Sequence, residues 1–254
     1  MIGMRINRPL VLMVLAAAVT LALATLVPVA SATTNGPPVP PRLRGLGPST
    51  SLNWAGYDAT RATNSSTTFT RVSASWVVPS VTTASTNAYA SFWVGLDGDG
   101  SNSVEQIGTS SDYVNGQARY YAWYEMYPKM PVNLTLAVKP GDAISASVVA
   151  GVKGSFTLTL TDATTGKSFT TTQKSAKAKL YSAEVIAEAP WSGGVLPLAN
   201  FGSVSFTKAL FNGLPISSFS NNQITMVTSS GAAKATPSLL DVTGTAFTIT
   251  WNGY

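Results

Sequence analysis

The side chains that could do chemistry lie mainly in two short segments. In the segment 119–127 (RYYAWYEMY), a strand would place Trp123 and Glu125 on the same face, together with other aromatic side chains. Burial beside aromatic rings raises the pKa of a carboxyl group, so Glu125 is a candidate functional residue. The same pattern also fits a structural carboxylate that accepts hydrogen bonds from tyrosine hydroxyls.

The second segment, 181–189 (YSAEVIAEA), contains two glutamates. If this segment is a strand, Glu184, Ile186 and Glu188 share one face. Two carboxyl groups that flank an apolar residue are unusual in a plain edge strand, and they could form part of a site. They could equally belong to a solvated face, and the pattern alone does not distinguish these alternatives.

The residue types that are absent narrow the chemistry. The chain contains no histidine and no cysteine, which excludes Ser-His-Asp and Cys-His nucleophile systems and zinc sites built on imidazole or thiolate. We therefore expect neither a metal nor a cofactor. The 11 acidic residues offer few ion pairs to lose on acidification, so the protein could work at low pH. Its basic residues are scattered, so we expect no nucleic-acid partner.

The elements that must position these residues are predicted to be strands. Strict alternation of apolar and polar residues marks Ala143–Val148, Ser155–Leu160 and Ala246–Trp251. Further strand-like runs are Thr68–Val78, Ala88–Val94, Arg119–Tyr127, Val132–Val138, Lys179–Glu188, Gly202–Phe206 and Gln223–Val227. Turn signals separate these runs and no stretch has a sustained helical period. We predict one all-β domain over residues 51–254, of the sandwich or barrel class.

The first 50 residues differ in composition from the rest. Residues 1–32 combine two arginines, an apolar run and the small residues Ala30-Ser31-Ala32, which is typical of a secretory signal peptide. A transmembrane anchor is the alternative, but Pro28 and the small-residue exit argue against it. Residues 33–50 are rich in proline and glycine and are predicted to be a linker or a short pro-segment. We expect a secreted, extracellular monomer with no membrane association after cleavage.

Five short motifs occur in an order that resembles one known family. They are Asn53-Trp54-Ala55-Gly56, Trp93-Val94-Gly95-Leu96-Asp97-Gly98, Glu105-Gln106-Ile107-Gly108, Tyr121-Ala122-Trp123-Tyr124-Glu125-Met126-Tyr127-Pro128 and Ala183-Glu184-Val185-Ile186-Ala187-Glu188. Together they resemble the glutamic peptidases, or eqolisins, which are secreted acid proteases. Each motif is weak alone, but five in order with compatible spacing form a specific signal.

The resemblance implies a fold and a set of site residues. It implies a two-sheet antiparallel β-sandwich of the concanavalin-like jelly-roll type, with a cleft on its concave face. It also implies a catalytic pair, Gln106 and Glu188. Further family cleft positions fall on Trp54, Trp93, Asp97 and Glu125, which are carried over as substrate-binding or supporting residues. One departure concerns an aspartate that the family has shortly after its glutamine, where this chain has Ser110-Ser111-Asp112.

The chemistry of this pair suits an endopeptidase that acts on proteins or peptides. A carboxylate can take a proton from water and later deliver it to the leaving nitrogen, while an amide N–H can stabilise the oxyanion. Two alternatives remain. A jelly-roll glycoside hydrolase could use Glu125 and Glu188 as its carboxyl pair, but it would give Gln106 no role. A non-catalytic module could bind glycans or peptides through its tryptophans and tyrosines.

Overall fold

A computed structural model describes residues 49–63, 65–82 and 84–253. The predicted signal peptide, 1–32, and all but the last two residues of the predicted linker, 33–50, lie outside these ranges. Within them, no helix is long and apolar enough to cross a membrane.

The described residues form sixteen strands and two short 3-10 turns. The turns are Val152–Gly154 and Ile216–Ser218. The strands are β1 (Thr50–Ser51), β2 (Trp54–Thr60), β3 (Arg71–Val77), β4 (Ser91–Leu96), β5 (Val104–Val114), β6 (Gln117–Tyr127), β7 (Val132–Asn133), β8 (Ala143–Ala150), β9 (Ser155–Asp162), β10 (Lys167–Lys174), β11 (Ser182–Glu188), β12 (Ser203–Phe211), β13 (Leu214–Pro215), β14 (Asn221–Val227), β15 (Ala233–Pro237) and β16 (Phe247–Trp251). The prediction of an all-β fold is confirmed.

Hydrogen bonds join the strands into one continuous path. Its order is β10-β9-β8-β3-β12-β16-β15-β14-β2-β11-β4-β5-β6-β7, with β1 beside β14 and β13 beside β12. Neighbouring strands are antiparallel, apart from the short parallel pair of β1 and β14. The strands that carry the candidate residues, β2, β11, β4, β5 and β6, are therefore consecutive neighbours at one end of the path.

The path turns back on itself around a hydrophobic core. Strands β3, β8 and β9 contact strands β4 and β5 across this core. Alternation explains which side chains enter it: on β9, Phe156, Leu158 and Leu160 are buried while the residues between them are partly exposed. One hydrogen bond crosses the core, from the Trp76 indole N–H to the hydroxyl of Thr109, over 3.0 Å. The core therefore supports the strands of the candidate site from behind.

The opposite side of β2, β11, β4, β5 and β6 bears a second apolar cluster. Its members are Trp54, Trp93, Val104, Trp123, Ile186 and Ile224. Because side chains alternate along a strand, Glu184, Ile186 and Glu188 share this side, whereas Val185 and Ala187 belong to the main core. The expected alternation of this segment is thus present, and all its residues are buried.

Some strands were not predicted from the sequence. The strand β5 was not predicted although it carries Gln106, because its residues are buried on both faces over most of its length and both faces include polar residues. The strand β2 was missed for a similar reason, since it is buried from Trp54 to Ala59. In contrast, only Val132–Asn133 of the predicted run 132–138 is a paired strand.

Candidate active site

The candidate residues lie in three cross-strand rows on the face that bears the second cluster. Each row contains one residue from each of β11, β4, β5 and β6, in register. The Glu188 row comprises Glu188, Ser91, Ser110 and Tyr121. The Trp93 row comprises Ile186, Trp93, Gly108 and Trp123. The Gln106 row comprises Glu184, Gly95, Gln106 and Glu125. All the predicted site residues on these strands therefore share one face.

Glu188 ends β11 and is fully buried. Its Oε1 accepts a hydrogen bond from the Asn53 side-chain amide, and its Oε2 accepts one from the Trp93 indole N–H, both over 3.0 Å. Burial raises the pKa of the carboxyl well above 4.5, and the nearby charge of Glu125 raises it further, while the two donors oppose the shift. Such a group exchanges a proton at a higher pH than an ordinary glutamate.

Gln106 lies on β5, directly opposite Glu125 on β6. Its Nε2 donates a 2.7 Å hydrogen bond to Glu125 Oε2, and both side chains are buried. A hydrogen bond to a carboxylate is stronger than one between neutral groups, so it holds the amide in one orientation. Glu125, which the sequence pattern placed on a face with aromatic residues, is thus the hydrogen-bond partner of the Gln106 amide.

Trp93 lies in the row between that of Glu188 and that of Gln106. At one end its N–H contacts Glu188. At the other end the ring covers Gly95, where an added Cβ would lie 2.8 Å from Trp93 Cζ3 and 3.1 Å from Gln106 Cβ. Only glycine leaves this space open. The ring therefore binds Glu188 through its N–H and covers Gly95, the cross-strand partner of Gln106. Trp54 contacts this ring edge-on, with ring centroids 5.1 Å apart.

Asp97 supports the site from the end of β4. Its carboxylate accepts backbone N–H groups of Lys179, Leu180 and Tyr181 at 2.8, 2.8 and 2.7 Å. The strand β11 begins at the following residue, so these bonds hold the entry to the strand that carries both glutamates. Asp97 itself adopts a left-handed backbone conformation, with φ of 74°.

Glu184 belongs to the Gln106 row but has structural contacts. Its Oε1 accepts the backbone N–H groups of Gly98 and Asp99 at 3.1 and 3.2 Å. Burial raises the pKa of this carboxyl well above 4.5, and the charges of Asp58 and Asp97 add to the shift. Of the two glutamates on β11, Glu188 is the one that accepts hydrogen bonds from the Asn53 side-chain amide and from a tryptophan of the second cluster, Trp93.

Several residues that complete the site could not be identified from the sequence. Asn53 was noted only as part of a motif, and its partner Glu188 is 135 positions away. The Ser110 hydroxyl is 2.9 Å from the Ser91 hydroxyl and accepts the Trp123 indole N–H over 3.0 Å. No local signal could identify these partners, because each contact joins different strands.

The arrangement offers a carboxyl group with a raised pKa and an oriented amide on a tryptophan-rich face. These groups can exchange a proton and donate a hydrogen bond to a developing negative charge. Among the described residues, no group of three or more aspartate or glutamate side chains is arranged to hold a metal ion.

The chain is similar in sequence to known peptidases. The sequence model of the Peptidase A4 family matches residues 52–251. Aspergillopepsin-2 from Aspergillus niger is 34% identical over 184 residues, which cover 63% of this chain and 64% of that protein. Scytalidopepsin B from Scytalidium lignicola is 37% identical over 100 residues, or 39% of this chain and 37% of that protein. The chain thus matches less than two thirds of the length of either relative.

Solved structures with a similar fold include two glutamic peptidases. Scytalido-glutamic peptidase, crystallised with a peptide-based transition state analog, superposes with a TM-score of 0.66 and 26% identity, covering 79% of this chain and 98% of that one. Aspergilloglutamic peptidase from Aspergillus niger superposes with a TM-score of 0.57 and 31% identity, covering 65% of this chain and 99% of that one.

Proposed function

Because this chain belongs to the peptidase A4 family, we propose that it is a glutamic endopeptidase in which Glu188 and Gln106 hydrolyse the peptide bond. One observation supports this assignment above the others: the Trp93 indole binds Glu188 through its N–H and covers Gly95, the cross-strand partner of Gln106. A peptide carbonyl and a water molecule placed over this ring would lie between a base and a hydrogen-bond donor.

In the first step Glu188 acts as general base. Its ionised carboxylate removes a proton from water as the water oxygen attacks the carbonyl carbon, and the electron pair of the C=O bond moves to the carbonyl oxygen. Gln106 donates an amide N–H to this oxyanion. Glu125 supports the step by holding the amide nitrogen over 2.7 Å, so that little reorganisation is needed when the charge develops.

In the second step Glu188 acts as general acid. It delivers the proton that it took from water to the amide nitrogen, the C–N bond breaks, and the tetrahedral intermediate collapses to a carboxylic acid and an amine. The raised pKa of Glu188 favours this return of the proton. The Asn53 and Trp93 donors keep part of the population ionised for the next attack.

The finer architecture and the context of the protein are part of this proposal. We propose that the side formed by β3, β8 and β9 and the side formed by β2, β11, β4, β5 and β6 are the two layers of a jelly-roll sandwich. The substrates are proteins or peptides, which bind across the rows of the second side. Export through the 1–32 signal peptide would deliver the 51–254 domain to the extracellular space as a monomer, with 33–50 as linker or pro-segment.

The proposal is tested with denatured casein between about pH 2 and pH 7. We expect cleavage that resists pepstatin and EDTA and is lost in Glu188→Gln. Glu184→Gln is the matched control, because it changes a buried glutamate on the same face and strand whose partners are backbone N–H groups. Normal cleavage by Glu188→Gln would refute the assignment, and glycan hydrolysis that survives Gln106→Ala would favour a glycoside hydrolase.

A further inference from the structure

A cleft of about 320 Å³ lies beside the Glu188 row. Tyr121 belongs to that row and also lines the cleft, so the two are continuous. The next pair along β5 and β6 on the same face is Asp112 and Arg119, and both line the cleft. Tyr89, Val114, Ser192 and Leu196 complete the wall.

Asp112 lies at the base of this cleft and is only 3% exposed. Its Oδ2 accepts the Tyr121 hydroxyl over 2.8 Å, and its Oδ1 accepts the Ala90 backbone N–H over 3.2 Å. Burial raises the pKa of this carboxyl to about 7, although both hydrogen bonds and the Arg119 charge oppose the shift. At acid pH the group is therefore neutral.

Arg119 is the cation of the cleft. Its side chain is exposed and, among the described residues, makes no hydrogen bond or ion pair, although its charge acts on Asp112. Below pH 7 the cleft therefore has a net positive charge from one guanidinium, with the hydroxyls of Tyr89 and Ser192 as further hydrogen-bond donors. The Leu196 side chain and the tyrosine rings supply apolar contact area.

We propose that this cleft is a substrate subsite that receives a carboxylate-bearing side chain, aspartate or glutamate, and that Arg119 is its specificity-determining residue. The inference rests on the proposed peptidase function and adds the class of side chain that one subsite selects. A cationic side chain would be repelled by Arg119. A carboxylate gains charge-assisted hydrogen bonds with a guanidinium, while its methylene groups pack on the tyrosine rings.

The selectivity has a defined pH window. A substrate glutamate is ionised above about pH 4.3, and it loses its advantage when Asp112 ionises near pH 7 and places a second negative charge in the cleft. The ionisable groups that face Asp112 are Tyr121 and Arg119 on β6 and Tyr89 on the segment before β4. The segment 190–196 contributes no ionisable side chain.

Paired peptides test the proposal. Each pair differs only by Glu or Gln at one position near the cleaved bond, and the ratio of their kcat/KM values is measured at about pH 5.5, within the predicted window. We expect the wild-type ratio to favour Glu about five- to tenfold at one position and to fall to about 1 in Arg119→Gln. Arg71→Gln, which removes an exposed arginine lining a different cleft, should keep the wild-type ratio.

Asp112→Asn tests the pH window independently. Asparagine keeps the size of the side chain and stays neutral, and the Tyr121 hydroxyl can reverse its hydrogen bond. In a Glu188→Gln background, tryptophan fluorescence reports the binding of the paired peptides without turnover. We expect the Glu preference to disappear between about pH 6 and pH 8 when Asp112 is present and to persist in Asp112→Asn.

The outcomes separate the two proposals. Absence of cleavage for every peptide would overturn the peptidase function, and the binding assay would still test the subsite. Cleavage or binding without a Glu preference, or a preference that survives Arg119→Gln, would overturn the subsite and leave the peptidase function standing. A preference lost in Arg119→Gln and kept in Arg71→Gln would support it.

Discussion

The side-chain amide of Gln106 donates a 2.7 Å hydrogen bond to the carboxylate of Glu125, its direct partner across β5 and β6. The resemblance to the family implied that Gln106 is catalytic and that Glu125 is a supporting residue. Through this hydrogen bond Glu125 orients the amide of Gln106. It also brings a negative charge near Glu188, whose pKa it raises. The same carboxylate therefore influences both members of the proposed catalytic pair.

Replacement of Gln106 should reduce the rate of the chemical step. Removal of one oxyanion donor typically lowers kcat by about 10²–10³, and we expect this effect in Gln106→Ala with a smaller change in KM. Steady-state kinetics on a peptide substrate measures it. Gln117→Ala removes an exposed glutamine at the start of β6 and is the control. An increase in KM with an unchanged kcat would show that Gln106 binds the substrate without stabilising the transition state.

Glu125→Gln should move the pH profile of the reaction. Glutamine can still accept the hydrogen bond from Gln106 through its carbonyl oxygen, but it removes a negative charge that raises the pKa of Glu188. The pKa of Glu188 then falls, so the ionised base is available at lower pH and the acid limb of kcat/KM shifts to lower pH. The profile between about pH 2 and pH 7 shows it. An unmoved limb would mean that the two carboxyl groups are not coupled.

Trp93→Phe should separate the packing role of the indole from its hydrogen bond. Phenylalanine retains an aromatic ring beside Gly95 but lacks the N–H that binds Glu188 Oε2. Without this donor the ionised form of Glu188 is less favoured and its pKa rises, so the acid limb should shift to higher pH. The opposite directions expected for Trp93→Phe and Glu125→Gln make a paired test, and shifts in the same direction would contradict this account.

The stability of the folded protein should decrease as the pH rises from acid to neutral. Burial raises the pKa of Glu105 to about 8, with the Asp97 charge adding to the effect, and raises that of Asp112 to about 7. It also raises the pKa values of Glu184 and Glu188. The folded chain therefore holds protons that the unfolded chain loses. The stabilising contribution of these carboxyl groups is complete below their unfolded-state pKa values, near pH 4, and is lost progressively towards pH 8.

Thermal unfolding at a series of pH values checks this trend. Glu105→Gln should flatten it and raise the free energy of unfolding at pH 8 by on the order of 3 kcal/mol, with little change near pH 4. Asp241→Asn is the control, because hydrogen bonds with Thr243 and neighbouring backbone groups lower the pKa of that exposed carboxyl. A lowered pKa makes stability rise with pH, so Asp241→Asn should not flatten the decrease. A stability maximum near pH 8 in the unmodified protein would contradict the expected linkage.

Local patterns in the chain were enough for the class of fold and for the kind of chemistry. Strict alternation in segments such as 155–160 identified strands, because one of their faces is buried and the other meets solvent. The absence of histidine and cysteine excluded whole classes of mechanism. The order of five motifs indicated the family and, through it, Gln106 and Glu188. These features are all visible without knowledge of which strands are neighbours.

The partners of each side chain were set by the order and register of strands that are far apart in the chain. Asn53 reaches Glu188, and Trp93 lies between Glu188 and Gln106, only because β2, β11, β4 and β5 are adjacent. The strand β5 gave no alternating signal because it is largely buried on both faces. Burial, hydrogen-bond partners and pKa shifts arise from these long-range neighbours, whereas periodicity reports only on residues a few positions apart.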